Sequence, residues 1–154
     1  DDFSRSDDRL RAALQDLRRV NRMLGGYRTS STVLTPLLRR RSALSLLDVG
    51  TGSGDYLADL VRRGSDRGCE VSAVGVDLNP VTVGHGRAHL AACPAPPHRS
   101  RTRVEIGDAL DLPYADDAFD VAHAALFLLH FHGDAPVQLL REMNRVSRIG
   151  IVVN

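Results

Sequence analysis

Apolar residues at Leu10, Leu14, Leu17, Val20 and Leu24 recur at helical spacing, and Gly25-Gly26 should stop that helix. A second helix is expected over residues 31–40, where Pro36 either kinks it or moves its start. The pattern then changes. Residues 44–49, Leu-Ser-Leu-Leu-Asp-Val, read as a short buried strand, followed by glycines at 50, 52 and 54 and a helical run over 55–63. Further strands are expected at 70–76, 102–106, 119–123 and 149–153. One intervening helix opens at Asn79-Pro80, where proline suits the first turn; another, capped by Asp134, reaches residue 146. Pro94, Pro96 and Pro97 mark an exposed loop. Short, continuously apolar strands alternating with helices predict an α/β fold. Its sheet is expected to be doubly wound, mainly parallel and Rossmann-like, with right-handed crossovers. The two N-terminal helices are expected over the carboxyl edge of the sheet.

Composition narrows the possibilities. A chain of 154 residues, 43% apolar and 25% charged, suits one domain with a real core and excludes a wholly disordered chain. Arg plus Lys is 20 against 19 for Asp plus Glu, so no charge excess points to nucleic acid or to a membrane surface as partner. All the side-chain cations are Arg, which excludes a lysine Schiff base. The Arg and Ala bias suggests a GC-rich, bacterial coding sequence. The longest apolar stretch, 118–131, contains Asp120, His123 and His130 and is too short and polar for a bilayer span. The first residues lack the basic-then-apolar pattern of a secretory signal. Cys69 and Cys93, 24 positions apart, suggest neither a disulfide framework nor a C-x-x-C centre, and the expectation is a cytoplasmic protein.

The chemistry gathers at strand ends. Asp48-Val-Gly50-Thr51-Gly52-Ser-Gly54 joins the first strand to its helix. Glycines let the backbone bend sharply and approach a ligand, and the helix amino terminus offers N–H groups to a carboxylate or phosphate. A plain tight turn would need the same glycines. The spacing departs from the dinucleotide fingerprint G-x-G-x-x-G, and Asp55 would sit close to a pyrophosphate, which argues against NAD. The lysine of a P-loop is also missing. Asp77 ends the second strand, 23 residues after Gly54, where a carboxylate can accept from both hydroxyls of a ribose. The alternative is a strand-end Asp that caps the next helix. Leu78 could cover one face of an adenine, and Asp108 could accept from its exocyclic amine.

Five stretches in order, LLDVGTGSGD (46–55), VGVDLNP (74–80), GDALDLP (107–113), FDVAHAALFLLHF (119–131) and LLREMNRVSRIGIVVN (139–154), resemble the class I methyltransferases that use S-adenosylmethionine (AdoMet). The similarity is to their small-molecule branch, which includes quinone and polyketide methyltransferases. It implies an N-terminal helical lid over 1–43 and an AdoMet-binding core over 44–154. By that resemblance the loop from Asp48 through Gly50, Thr51, Gly52 and Gly54 holds the methionine moiety. Asp77 holds the ribose, with Leu78 beside it, and Asp108 with Ala109 holds the adenine. His123, Ala124 and Ala125 follow the fourth strand, where family members contact the amino-acid end. The 126–131 segment resembles one that often carries two adjacent histidines, but Leu129 takes the first place here. The implied reaction moves a methyl group to a small-molecule acceptor, an aromatic, quinone or polyketide-like hydroxyl or carbon, and leaves S-adenosylhomocysteine. The family sheet closes with a hairpin after its fifth strand. The sequence given ends at Asn154, which suggests a fragment, marginally stable and nearly inactive alone, or an edge covered by another chain such as a homodimer partner.

Other residues could carry chemistry. His85, His89 and Cys93 share a helix face at metal-ligand spacing, but a solvated face is the simpler expectation and no metal is expected. His130 has the right intrinsic character to take a proton from an acceptor hydroxyl, and it is the one catalytic candidate; packing is the alternative. Tyr27 and Arg28 could fold over a cofactor or form a surface turn. Two other functions compete: a NAD-dependent dehydrogenase with a variant glycine loop, and a non-catalytic nucleotide-binding module.

Overall fold

The computed structural model describes residues 26–93 and 102–154. The helix expected between positions 10 and 24 and the loop of Pro94, Pro96 and Pro97 lie outside them. In chain order the described elements are α1 (Gly26–Arg40), β1 (Ala43–Val49), α2 (Asp55–Ser65), β2 (Glu70–Asp77), α3 (Pro80–Ala92), β3 (Thr102–Ile106), β4 (Phe119–Ala124), a short 3-10 turn (Leu128–His130), α4 (Ala135–Arg145) and β5 (Ser147–Val153). Every strand pairing is parallel, in the order β3-β2-β1-β4-β5. The strands thus run outward in both directions from β1, as a doubly wound sheet requires.

Alternation along each strand divides the core between the two faces of the sheet. Leu44 and Leu46 of β1 pack with Val71 and Ala73 of β2 under Leu34 and Leu38 of α1 and Leu57 and Leu60 of α2. On the other face, Leu47, Val49, Val74 and Val76 meet Leu139 and Met143 of α4 and Leu112 of the β3–β4 connection. Helices cover both faces, which is why the strands read as continuous apolar runs rather than alternating ones. No helix among the described residues is long and apolar enough to cross a membrane.

Three expectations change in detail. Gly26 opens a helix rather than ending one, and α1 runs straight through Pro36. Leu34 and Leu38, fully buried on either side of the proline, supply packing that offsets the lost hydrogen bond. Asp134 occupies the position before α4, but its backbone is already helical (φ −85°, ψ −10°) and its side chain makes no cap bond. A side-chain cap needs the extended geometry that Asn79 has before α3, where the Asn79 side chain accepts from Val81 and Thr82.

Candidate functional site

The strand order reverses at β1, and ligands of such sheets sit outside the carboxyl ends of the strands at this point. The glycine loop lies there. Its backbone is tied down by β2: the Gly50 and Thr51 N–H groups both donate to the Val76 carbonyl, at 2.9 and 3.0 Å. Gly50, Gly52 and Gly54 all have positive φ, 69°, 56° and 72°. Their surroundings differ sharply. A β-carbon on Gly50 would lie 2.3 Å from the Phe127 ring, whereas one on Gly52 would meet no atom within 4 Å. Gly50 is therefore needed for packing and Gly52 borders open space. Gly54 stands at the N-cap of α2 without a side-chain cap, so the first N–H groups of that helix suit an external anion.

Asp77 sits beside the loop at the tip of β2. Its Oδ2 accepts from Gly52 N–H at 3.2 Å and its Oδ1 from Asn79 N–H at 2.9 Å. It does not cap α3; Asn79 does. Its carboxylate is half-exposed and keeps acceptor capacity for hydroxyl groups. Leu78 is 68% exposed and Ile106, at the end of β3, is 54% exposed, so two apolar side chains flank the same corner. Asp108 is exposed; its Oδ1 accepts from Leu110 N–H at 2.9 Å, which fixes the turn that carries it. Ala109 next to it is buried and offers backbone rather than side chain.

Two expected contacts are placed differently. Ala124 has no exposed surface, and its carbonyl accepts from Asn154 N–H at 3.1 Å. It is a core residue of β4, because the strand extends one position beyond His123, and contact with a ligand is corrected to a packing role. Asp48 is also buried, with Oδ2 accepting from Thr51 Oγ1 at 2.7 Å and Oδ1 lying 2.6 Å from His123 Nδ1. It supports the loop from below.

His123 itself is fully buried inside β4 rather than following it. Its Nε2 lies 2.7 Å from Ser30 Oγ of α1, and Tyr56 stacks on its ring at 4.3 Å. Burial, reinforced by the charge of Asp48, holds the Tyr56 hydroxyl well above its ordinary range, so it stays neutral. Of the two helices expected over the carboxyl edge, α1 reaches it only with Ser30, its Leu34 and Leu38 packing on the sheet face, and the other lies outside the described residues. The partnership of His123 with Ser30 was not legible, because it spans 93 positions. Two nearer signals were legible in principle: Gly75 leaves room for Thr51, and Phe127 stands in the turn after β4.

His130 is exposed, on the 3-10 turn, with its ring centroid 6.2 Å from that of Phe127. Leu126 before this turn has φ +54°, a strained value for leucine, and is held by its N–H bond to the Asn154 carbonyl at 2.9 Å. His89 on α3 lies 3.2 Å from Asp55 and 3.7 Å from Cys93 Sγ. Among the described residues, no group of three or more His, Cys, Asp and Glu side chains is arranged to hold a metal. Arg28 is exposed on α1; the Tyr27 side chain lies outside the described residues.

The adenine-side connection is anchored from α4. Arg145 donates to the carbonyls of Tyr114 and Leu112 and to Glu142, and Glu142 accepts from Leu112 N–H. This clamps the segment that begins at Asp108.

Comparison with known proteins gives the following likenesses. A family described as "methyltransferase domain" matches residues 46–150. The demethylmenaquinone methyltransferase of Roseiflexus sp. (strain RS-1) is 36% identical over 149 residues, 88% of this chain. The chain spans 57% of that relative's length. Among solved structures, the [4+2]-cyclase SpnF is 29% identical, with a TM-score of 0.57 over 75% of this chain and 40% of that one. A SAM-dependent methyltransferase from Aquifex aeolicus is 20% identical, with a TM-score of 0.60 over 77% of this chain and 57% of that one, a likeness of fold.

Proposed function

The chain belongs to the methyltransferase domain family, and we propose that it transfers a methyl group from AdoMet to a small-molecule acceptor of the quinone or polyketide-like aromatic class. One observation carries the cofactor reading. Gly52 opens onto free space directly beside Asp77, so a loop that admits a chain of atoms adjoins a carboxylate that can take two hydroxyls. The residues present fit AdoMet: loop N–H groups for the methionine carboxylate, Asp77 for the ribose, Leu78 and Ile106 for the adenine faces, and Asp108 for its amine. When bound, AdoMet supplies a methyl group already made electrophilic by the sulfonium.

The protein's own task is positional. The loop and the turn from Leu126 to His130 hold the reacting ends in line and exclude water, which lowers the entropic part of the barrier. Held by the loop and Asp77, AdoMet would supply its methyl group to the acceptor oxygen or carbon, the electrons of the carbon–sulfur bond leaving on S-adenosylhomocysteine. The acceptor's proton passes to a base, a role we assign to exposed His130, whose ring neighbours Phe127 of the turn that packs on Gly50.

Titration calorimetry with AdoMet and with NAD, followed by a transfer assay on demethylated quinones and simple phenols, tests this. The expected result is AdoMet binding and formation of S-adenosylhomocysteine with a methylated product. Binding of NAD in its place would overturn the cofactor. AdoMet binding without transfer to any acceptor would favour a non-transferring module of the same fold, and the likeness to a cyclase makes that outcome worth measuring.

A further inference from the structure

A single polar chain runs through the buried interior from helix α1 to the glycine loop. Asn154 Nδ2 donates to Ser30 Oγ at 3.0 Å. Ser30 Oγ is 2.7 Å from His123 Nε2, and His123 Nδ1 is 2.6 Å from Asp48 Oδ1. Asp48 Oδ2 in turn accepts from Thr51 Oγ1 at 2.7 Å. Ser30 and His123 have no exposed surface and Asp48 is 4% exposed. Ser30 Oγ accepts from the Asn154 amide and also bonds the Tyr56 hydroxyl, so it is the node at which α1 meets both rings. Tyr56, stacked on the imidazole at 4.3 Å with a 26° interplanar angle, fixes the plane of the ring. The chain therefore ends at the second residue of the loop, whose own N–H is bound to Val76.

We propose that Ser30 and His123 are positioning residues that latch helix α1 to the glycine loop, so that the affinity for the methionine half of the cofactor depends on the Ser30–His123–Asp48 chain rather than on the apolar packing of α1. This rests on the AdoMet reading above. The physical reason is the cost of a broken buried network. Removing the Ser30 hydroxyl leaves Nε2 of a fully buried imidazole without its Ser30 partner, and the ring and Asp48 must re-pair at the expense of the Thr51 bond. Thr51 precedes Gly52, where the loop faces open space. The nucleoside corner, Asp77 with Leu78, Ile106 and Asp108, is built on β2, β3 and the Arg145 clamp, contains no member of the chain, and meets the loop through the backbone bonds of Thr51 to Val76 and of Gly52 to Asp77.

That division supplies the test. Calorimetry compares S-adenosylhomocysteine, which has the amino-acid end, with methylthioadenosine, which has the same nucleoside and sulfur without it. Ser30→Ala should weaken S-adenosylhomocysteine about tenfold, the scale of one hydrogen bond in a charged network, and methylthioadenosine less than about twofold. His123→Asn keeps a donor for Asp48 but cannot reach Ser30, and it should shift the same ratio. Adding Ser30→Ala to it should change the ratio little further. Leu34→Ala, on the same helix but only in the apolar core, should lower the melting temperature and leave the ratio alone. The latch is overturned if Ser30→Ala and His123→Asn weaken both ligands alike, if they leave S-adenosylhomocysteine unaffected, or if Leu34→Ala shifts the ratio equally. A wild-type protein that binds neither ligand would overturn the cofactor reading together with the latch.

Discussion

Asp77→Ala removes four interactions of two kinds. Two are seen: the bonds from Gly52 N–H at 3.2 Å and Asn79 N–H at 2.9 Å. Both donors lie at the half-exposed rim, where water can replace the carboxylate, so their loss should cost only about 1 kcal/mol of stability. The other two are the ribose hydroxyls, which would use the acceptor sites that Gly52 and Asn79 leave free. A hydrogen bond to a charged group contributes roughly 1.5–3 kcal/mol. The two hydroxyls share one carboxylate, so that range is taken for the pair. At about 1.4 kcal/mol per tenfold, the expected weakening of S-adenosylhomocysteine is roughly 10- to 150-fold. Titration calorimetry reads it directly, with a thermal melt as the stability check. A 2′,3′-dideoxy analogue completes the cycle: it should bind wild type weakly and be nearly indifferent to the substitution. Unchanged affinity for the natural ribose, or an equal loss for the dideoxy analogue, would refute the assignment of Asp77 to the ribose.

The remaining predictions concern the loop, the acceptor side and acid stability. Gly50→Ala drives a methyl group into Phe127 and should lower the melting temperature strongly, whereas Gly52→Val, which meets only open space, should cost about 1–2 kcal/mol of backbone strain but abolish AdoMet binding with the circular dichroism spectrum largely kept. Normal AdoMet binding by Gly52→Val would reduce the loop to a turn. His130→Asn should lower turnover of a phenolic acceptor at least tenfold while leaving AdoMet affinity and melting temperature nearly intact; normal turnover excludes the base role. Burial pushes the Asp120 carboxyl up, but bonds from the Ser45 backbone and hydroxyl and from Arg148 outweigh it, and the net shift is below the ordinary 3.8. A lowered carboxyl stabilises the fold above its unfolded value and loses that contribution as pH falls through the folded value. Melting temperatures at pH 5 and pH 3, roughly one unit either side of the ordinary aspartate value, should converge between wild type and Asp120→Asn at the lower pH; a constant gap would contradict this.

The sheet was readable because its strands are covered on both faces. Each shows as an apolar run, and the observed spans differ from the expected ones only at their ends. β5 starts at Ser147 rather than Ile149 because Ser147 pairs with Phe119 before an irregularity in the register opposite Val121. Nothing in the local pattern signals that pairing. The loop was readable because its three glycines mark positive φ, yet the sequence could not tell the packed glycine from the open one. That distinction depends on Phe127, 77 positions from Gly50. Asp48, Ala124 and His123 show the same limit. All three lie at strand ends, where sequence suggests contact with a ligand, and all three are buried, Asp48 and His123 in the polar chain that Ser30 of α1 closes and Ala124 in the core of the opposite face. A strand-end position identifies the rim of the sheet, and only tertiary packing decides which rim residues face outward.

The charge around the rim bears on which ligand the loop prefers. Asp48, Asp55, Asp77 and Asp108 lie on the loop or on the strand tips beside it, and Asp55 is engaged by Ser53 at 2.7 Å and by His89 at 3.2 Å. A pyrophosphate brought to this helix amino terminus would face those carboxylates. At about 6 Å and an effective dielectric of 20, each like-charge pair costs roughly 3 kcal/mol before screening. The helix dipole offers about half a charge in compensation, and two or more such pairs would exceed it. On the AdoMet reading the balance inverts, because its carboxylate would meet the helix N–H groups while its ammonium and sulfonium would meet the acidic rim. The same carboxylates that argue against a dinucleotide therefore argue for a ligand of mixed charge, and Gly52 borders open space beside them. His123 and Ser30 then matter for a reason beyond packing: they hold the one carboxylate of this set that is fully inside the protein, and so fix how close its charge comes to the loop.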